Sequence, residues 1–146
     1  MMAELNWVLQ ENRNHIKMLS DDYPRYFHKM LSNFGFPLNR HPGVKRVLDW
    51  DQIEQKSCFF FDFEHCEKNI AERLSKALTH QECSFIVELG YDNPIVEVSK
   101  ECFVEKWHDF AAANGWTGYV AISSDGKVVI EFTDDHEYLL LSNIEI

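Results

Sequence analysis

The residues best suited to acid–base chemistry are Asp62, Glu64 and His65, which close an aromatic run that begins at residue 57. Histidine titrates near neutral pH, and a neighbouring carboxylate can orient its ring for proton transfer. Acids at the start of a helix are also favoured by the positive end of the helix dipole. We therefore assign the three residues to the surface and to a helix start, and we predict no catalytic residue. A small enzyme that uses these three groups is the alternative.

A second set of residues, His65, Cys66, His80 and Cys83, has the side chains that zinc binds. Zinc needs four ligands that converge on one point. A helix rises about 1.5 Å per residue, so the helix predicted over 65–80 would separate the two ends of this set by about 20 Å. The sequence also contains no nucleophile elbow, phosphate-binding glycine loop, dinucleotide fingerprint, paired CxxC or HExxH motif. We predict no metal site, no cofactor and no enzymatic activity.

Negative charge is the strongest pattern in the 146-residue chain, whose formal net charge is -10. Residues 1–50 carry seven Lys or Arg and five Asp or Glu, whereas residues 51–146 carry seven and nineteen. A negative field of this strength repels nucleic acid and anionic membranes and accelerates association with basic partners. The pattern predicts a binding protein for a basic protein, with no direct contact to nucleic acid or membrane.

The predicted partner-binding residues are seven acids and one tryptophan in the second part of the chain. Three of the acids, Glu101, Glu105 and Asp109, are four residues apart, which places them on one exposed helix face. A partly exposed tryptophan among acids is typical of an interface that receives a cationic partner. The complete set is Glu101, Glu105, Asp109, Trp116, Asp125, Asp134, Asp135 and Glu137.

The N-terminal residues 1–35 are predicted to form an antiparallel pair of helices. Apolar residues at helical spacing indicate a helix over 3–19 and a second helix over 23–34. Capping side chains at 20–22 precede the second helix, and Gly35 ends it.

The helical pattern breaks over residues 36–56, where Pro37, Pro42 and Gly43 interrupt the chain. This stretch is predicted to be a connecting segment. Its basic cluster is short and has one aromatic nearby that could stack on a base, so we interpret it as a solvated loop and not as a nucleic-acid site. The cluster consists of Arg40, His41, Lys45 and Arg46.

Residues 57–146 are predicted to form an acidic α+β core. The aromatic run at 57–63 is typical of a central strand that is covered on both faces. Helices are predicted over 65–80 and over 100–113, the latter capped by Ser99 and ended by Asn114 and Gly115. Five further strands are predicted over 84–89, 95–98, 118–123, 127–133 and 137–141. Short links favour antiparallel pairing, so we expect a mostly antiparallel sheet with two helices on one face, preceded by the helix pair.

The length and composition of the chain predict a single cytoplasmic domain over residues 1–146. Hydrophobic residues make up 45% of the chain, enough for a packed core. No apolar run approaches the roughly 20 residues that span a bilayer, and the first residues do not have the pattern of a signal peptide. Four irregularly spaced cysteines predict reduced thiols in apolar surroundings.

The chain resembles the bacterial immunity proteins that neutralise contact-dependent or colicin-like toxins. The residues that carry the resemblance are Glu101, Glu105, Asp109 and Asp125 together with residues 134–137. It covers residues 51–146 and depends on composition: a small, acidic, cysteine-reduced α+β protein without an active-site motif.

This resemblance implies stoichiometric inhibition of a basic toxin domain, often a nuclease. Carboxylates would occupy the positions of the phosphates that the toxin binds, and charge complementarity would set the association rate. An alternative from another class is a structural adaptor whose N-terminal helices mediate assembly.

Overall fold

A seven-stranded antiparallel sheet organises the part of the chain that the structure describes. The computed structural model describes residues 16–20, 25–40, 46–62, 67–88, 95–135 and 137–146. The strands are β1 (Ile16–Ser20), β2 (Ser57–Phe61), β3 (Phe85–Val87), β4 (Ile95–Val98), β5 (Gly118–Ser123), β6 (Val129–Asp135) and β7 (Glu137–Ser142). Their order across the sheet is β1-β4-β3-β5-β6-β7-β2, and all neighbours are antiparallel.

Helices cover both faces of this sheet. The helices are α1 (Arg25–Asn33), α2 (Glu67–Ala77) and α3 (Lys100–Ala113), and a short 3-10 helix spans Trp50–Gln52. On one face, the α2–α3 face, Trp107 stacks on Phe132, and Leu74 belongs to the same core cluster. The opposite face, the α1 face, is covered by Phe27 and Leu31 of α1 and by part of the segment that follows it. The chain is therefore layered, with cover on each side of one sheet.

The predicted N-terminal helix pair is wrong. Residues 16–20, placed in the first helix, form β1, which pairs with β4 in a register that sets Lys17 opposite Glu97. The apolar residues at 16, 18 and 19 also fit the spacing of a helix. Pairing with β4, however, satisfies the main-chain groups of this strand, and it lets Ile16 and Leu19 pack on opposite faces of the sheet. The rest of the predicted first helix lies outside the described residues. The adaptor hypothesis thereby loses the helix pair on which it depended.

The sheet is also larger than predicted, and its cover is arranged differently. Two helices do pack on one face, but α1 and the described residues of 36–40 and 46–53 cover the other. The predicted connecting segment contains an isolated bridge between Leu38 and Leu48, and it places Trp50 in the core with 6% of its surface exposed. Part of the segment is thus packed on the sheet, which contradicts its interpretation as a solvated loop. Of its basic cluster, His41 and Lys45 lie outside the described residues.

The predicted helix over 100–113 is confirmed, and its boundaries are those of α3. Ser99 Oγ accepts a hydrogen bond of 3.0 Å from the amide of Cys102, as expected of an N-cap. In contrast, β2 lies at the edge of the sheet, although its aromatic run predicted a central strand. Phe61 is 8% exposed and Phe60 is 65% exposed, so only part of this apolar run is covered.

Candidate functional site

The predicted partner-binding residues are divided between the two ends of the sheet. The β5–β6 hairpin places Asp125 at one end, and the β6–β7 turn places Asp134 and Glu137 at the other. The intervening residues of β6 span about 17 Å at about 3.3 Å per residue. Helix α3 runs between these ends. Its first turn lies at the Asp125 end, because Glu101 lines the same surface depression as Gln81, and Gln81 donates a hydrogen bond to Asp125. The residues therefore do not form one patch.

The end of the sheet at the β6–β7 turn gathers four acids, Glu67, Asp109, Asp134 and Glu137, and we call it the acidic end. Glu67 begins α2, Asp109 lies in the last turns of α3, and Asp134 pairs with Tyr138 beside the turn. Asp135 is the last residue of β6 and pairs with Glu137, and its side chain lies outside the described residues. Lys106 Nζ is 3.8 Å from Asp109, so the chain itself pairs part of this charge. Asp109, Asp134 and Glu137 belong to the predicted partner-binding set, whereas Glu67 was not predicted.

Trp116 lies at the acidic end in an unusual backbone conformation. After the end of α3, the amide of Trp116 donates a hydrogen bond of 3.0 Å to the carbonyl of Ala111. The φ angles of Gly115 and Trp116 are 66° and 62°. Glycine adopts this left-handed region without strain, whereas a bulky residue there costs about 1–2 kcal/mol. Strained non-glycine residues cluster at functional positions. Trp116 is therefore a candidate for a binding role.

The side chain of Trp116 is held by a short series of contacts. Its ring packs edge-on against His108 at 4.9 Å between centroids, and His108 Nδ1 lies 3.8 Å from Glu67 Oε1. Trp116 remains 37% exposed. The indole is thus positioned by its neighbours and still offers a large face to solvent, beside the four acids.

At the opposite end, Asp125 stabilises its own hairpin. Its carboxylate accepts hydrogen bonds from Ser123 Oγ at 2.6 Å and from the amide of Lys127 at 3.1 Å. The hydrogen bond from Ser123 is the largest cause of the lowered pKa of Asp125. Glu101 on the same side is exposed and lies 4.0 Å from Lys100 Nζ. Glu105 is exposed in the middle of α3, between the two ends.

Sequence analysis missed two buried carboxylates. Glu131 of β6 is 1% exposed and Glu88, which follows β3, is 2% exposed. Glu88 Oε1 accepts a hydrogen bond of 2.8 Å from the amide of Val120. Alternation along β6 places Val129, Glu131 and Thr133 on the same face, and no described residue bonds the buried hydroxyl of Thr133. For Glu131, the sequence signal that could have indicated burial is an acidic residue at an inward-facing position of a largely apolar strand.

Glu131 fastens the segment between α1 and β2 to the sheet. Its two oxygens accept hydrogen bonds from the amides of Val47 (2.6 Å) and Leu48 (3.2 Å) and from Trp50 Nε1 (2.8 Å). Burial raises the pKa of Glu131 to about 7; these hydrogen bonds oppose the rise, and the charge of Glu88 adds to it. A raised pKa is common in catalytic acids, but all three donors here belong to the packed cover. We therefore assign Glu131 a structural role.

The residues considered for chemistry are placed only in part. Asp62 is exposed just after β2, and Glu64, His65 and Cys66 lie outside the described residues. Among the residues that the structure describes, no three His, Cys, Asp or Glu side chains are grouped to hold a metal ion. Within the same residues, no helix has the length and apolar character needed to cross a membrane. Comparisons of the chain with models of protein families, with curated proteins and with solved structures found no match.

Proposed function

We propose that the protein is a cytoplasmic inhibitor of the immunity-protein type, which binds a basic toxin domain through its acidic end. The observation that carries this proposal is Trp116, an exposed aromatic side chain on strained backbone beside four acids. A few anchor residues, among which Trp is enriched, dominate the binding energy of many protein interfaces. The backbone strain at Trp116 has a reason if the indole must face a partner.

The charge of the chain supports the same proposal. A net charge of -10 attracts a cationic protein over a long range, and the acids nearest the contact orient it. Contact would then bury the exposed face of Trp116, which slows dissociation. Carboxylates in this role occupy the positions that phosphates take on a nuclease, so a nuclease domain is the favoured target class.

The test uses the gene neighbourhood of the protein. We expect the gene directly upstream to encode a large secreted protein that ends in a basic domain. That domain is expressed under an inducible promoter in a laboratory bacterium, with or without this chain. Growth arrest that this chain relieves is the expected result. A neighbouring basic domain that arrests growth equally in both strains would contradict the proposal.

Binding in vitro provides a second readout. The purified basic domain and this chain are mixed at increasing salt concentration, and the association and dissociation rates are measured separately. Electrostatic attraction predicts an association rate that falls steeply with salt and a dissociation rate that changes little. An association rate that is independent of salt would contradict a role of the acids in association.

A further inference from the structure

In the part of the chain that the structure describes, strand β2 is an edge strand with no strand paired on its outer side. Among the described residues it pairs only with β7, in an uninterrupted register from Ser57 to Phe61. Its sequence contains no charge, no proline and no bulge, which are the features that usually prevent edge strands from pairing. The other edge strand, β1, has both Lys17 and a shift of register between Met18 and Ser20. The two edge strands of the sheet thus differ: β1 has features that hinder pairing with a further strand, and β2 does not have them.

The two faces of β2 are also covered unequally. On the α2–α3 face, the guanidinium of Arg73 lies 3.8 Å from the centroid of the Phe59 ring. On the α1 face, Phe60 is 65% exposed, and Cys58 is exposed. Phe60 pairs with Leu139 of β7, which is 4% exposed, so the cover stops one strand before the edge.

We propose that β2 pairs with β2 of a second copy of this chain, antiparallel, about a twofold axis at Phe59. In this register Lys56 of each copy lies opposite Asp62 of the other, which gives two ion pairs. Both side chains are exposed, and the amide of Lys56 already bonds the carbonyl of Ser142, so the paired strand extends to Lys56. The flanks of β2 are therefore complementary in charge to themselves.

The same register accounts for the exposed apolar side chains. Phe60 of one copy lies opposite Cys58 of the other on the uncovered face, so each copy shields the other's aromatic ring. A twofold axis at Cys58 would instead set Asp62 opposite Glu54, which are like charges. An axis at Phe60 would set Asp62 opposite Cys58, and Lys56 would then face Glu64, which lies outside the described residues. The axis at Phe59 is the register in which Lys56 and Asp62, both described and exposed, pair with each other.

This pairing is independent of the proposed inhibitor function and compatible with it. Antiparallel β2 strands direct the two acidic ends toward opposite ends of the double sheet. Each copy would therefore keep its own Trp116 accessible to a partner.

Charge exchange across the strand pair tests the register. Lys56→Glu sets two acids opposite each other, and Asp62→Lys sets two lysines opposite each other. We expect each single variant to weaken dimerisation roughly tenfold, measured by sedimentation velocity over a concentration series. The double variant restores opposite charges and should regain the affinity of the wild type.

Disulfide trapping gives a second measurement in the full chain. In a Cys58→Ser background, Phe59→Cys places two thiols directly opposite each other, within the range that a disulfide bridges. Phe60→Cys is the matched control, because its thiol is more exposed but its two copies are offset along the strands beyond that range. We expect mild oxidation to link the Phe59→Cys variant into dimers much faster than the control.

Three outcomes would overturn the proposal. The first is a wild-type chain that sediments as a monomer at its highest soluble concentration, which would leave the edge to a different protein. The second is a dimer whose affinity is unchanged by both single charge variants. The third is faster crosslinking of the Phe60→Cys control, which indicates either a strand pair centred on Phe60 or collision without a fixed register.

Discussion

Trp50 Nε1 donates a hydrogen bond of 2.8 Å to Glu131 Oε1 against the middle of the sheet, where both side chains are buried. The amides of Val47 and Leu48 donate to the same carboxylate. A single acid therefore satisfies three donors. Two of them, the Leu48 amide and Trp50 Nε1, are buried and would each cost about 1–3 kcal/mol without a partner. This contact connects the cover of the α1 face to a central strand.

The stability of the protein should depend on pH through Glu131. Its pKa is about 7 in the folded chain, against an ordinary value of 4.5, so the folded state binds this proton more tightly. The stabilisation is complete below pH 4.5 and is lost as pH rises through 7. The gap between the two values corresponds to about 3 kcal/mol.

The variant Glu131→Gln isolates this contribution, because it cannot titrate. We expect the difference in unfolding free energy between wild type and variant to change by about 3 kcal/mol between pH 4.5 and pH 8. Denaturant titrations at several pH values measure it. A difference that is constant across this range would show that the pKa of Glu131 is the same in the folded and unfolded states.

The coupling between Trp50 and Glu131 can be measured by a double-mutant cycle. Trp50→Phe keeps most of the buried ring and removes the Nε1 donor. We expect a coupling of about 1–2 kcal/mol with Glu131→Gln at pH 8, where the carboxylate is charged, and a smaller coupling at pH 5. Additive effects at both pH values would indicate that the hydrogen bond contributes nothing.

The strain at Trp116 predicts an unusual order of variants. Trp116→Ala and Trp116→Gly both remove the contact with His108, but only Gly relieves the left-handed backbone. We expect the Gly variant to be more stable than the Ala variant by about 1 kcal/mol in thermal or chemical unfolding. An Ala variant as stable as the Gly variant would mean that the backbone is relaxed there.

Gly118 marks the start of β5 at a tight contact between strands. A Cβ at this position would lie 2.9 Å from Thr133 Cα and would press on the carbonyl of Phe132, with φ at 106°. We expect Gly118→Ala to cost about 3 kcal/mol or more. Gly115→Ala is the control, because no atom lies within 4 Å of its added Cβ, and we expect it to cost about 1 kcal/mol. Equal losses would contradict the contact.

The sequence predicted the elements whose ends are marked by capping residues close to them in the chain. Helix α3 was predictable because Ser99 caps it, its apolar stripe is regular and Gly115 follows it. Residues 16–20 were not predictable, because their apolar spacing also fits a helix and only the distant strand β4 decides between the two.

The candidate site was predictable in type but not in arrangement. Asp109, Trp116, Asp134 and Glu137 were selected from charge and residue type, whereas Glu67 was not, and the division of the predicted acids between two ends depends on strand order. The edge position of β2 escaped prediction for the same reason, since an aromatic run does not indicate how many neighbours a strand has. Glu131 and Glu88 were missed because the charge count treated every acid as exposed.

The most direct test of the inhibitor proposal compares two charge reversals in the growth assay with the neighbouring basic domain. One variant reverses the acidic end with Glu67→Lys, Asp134→Lys and Glu137→Lys. The matched control reverses three exposed acids elsewhere, with Glu54→Lys, Glu82→Lys and Glu145→Lys, and so has the same net charge. We expect protection to be lost in the first variant and kept in the control, with both folded by circular dichroism. Equal protection by both variants would contradict binding through the acidic end.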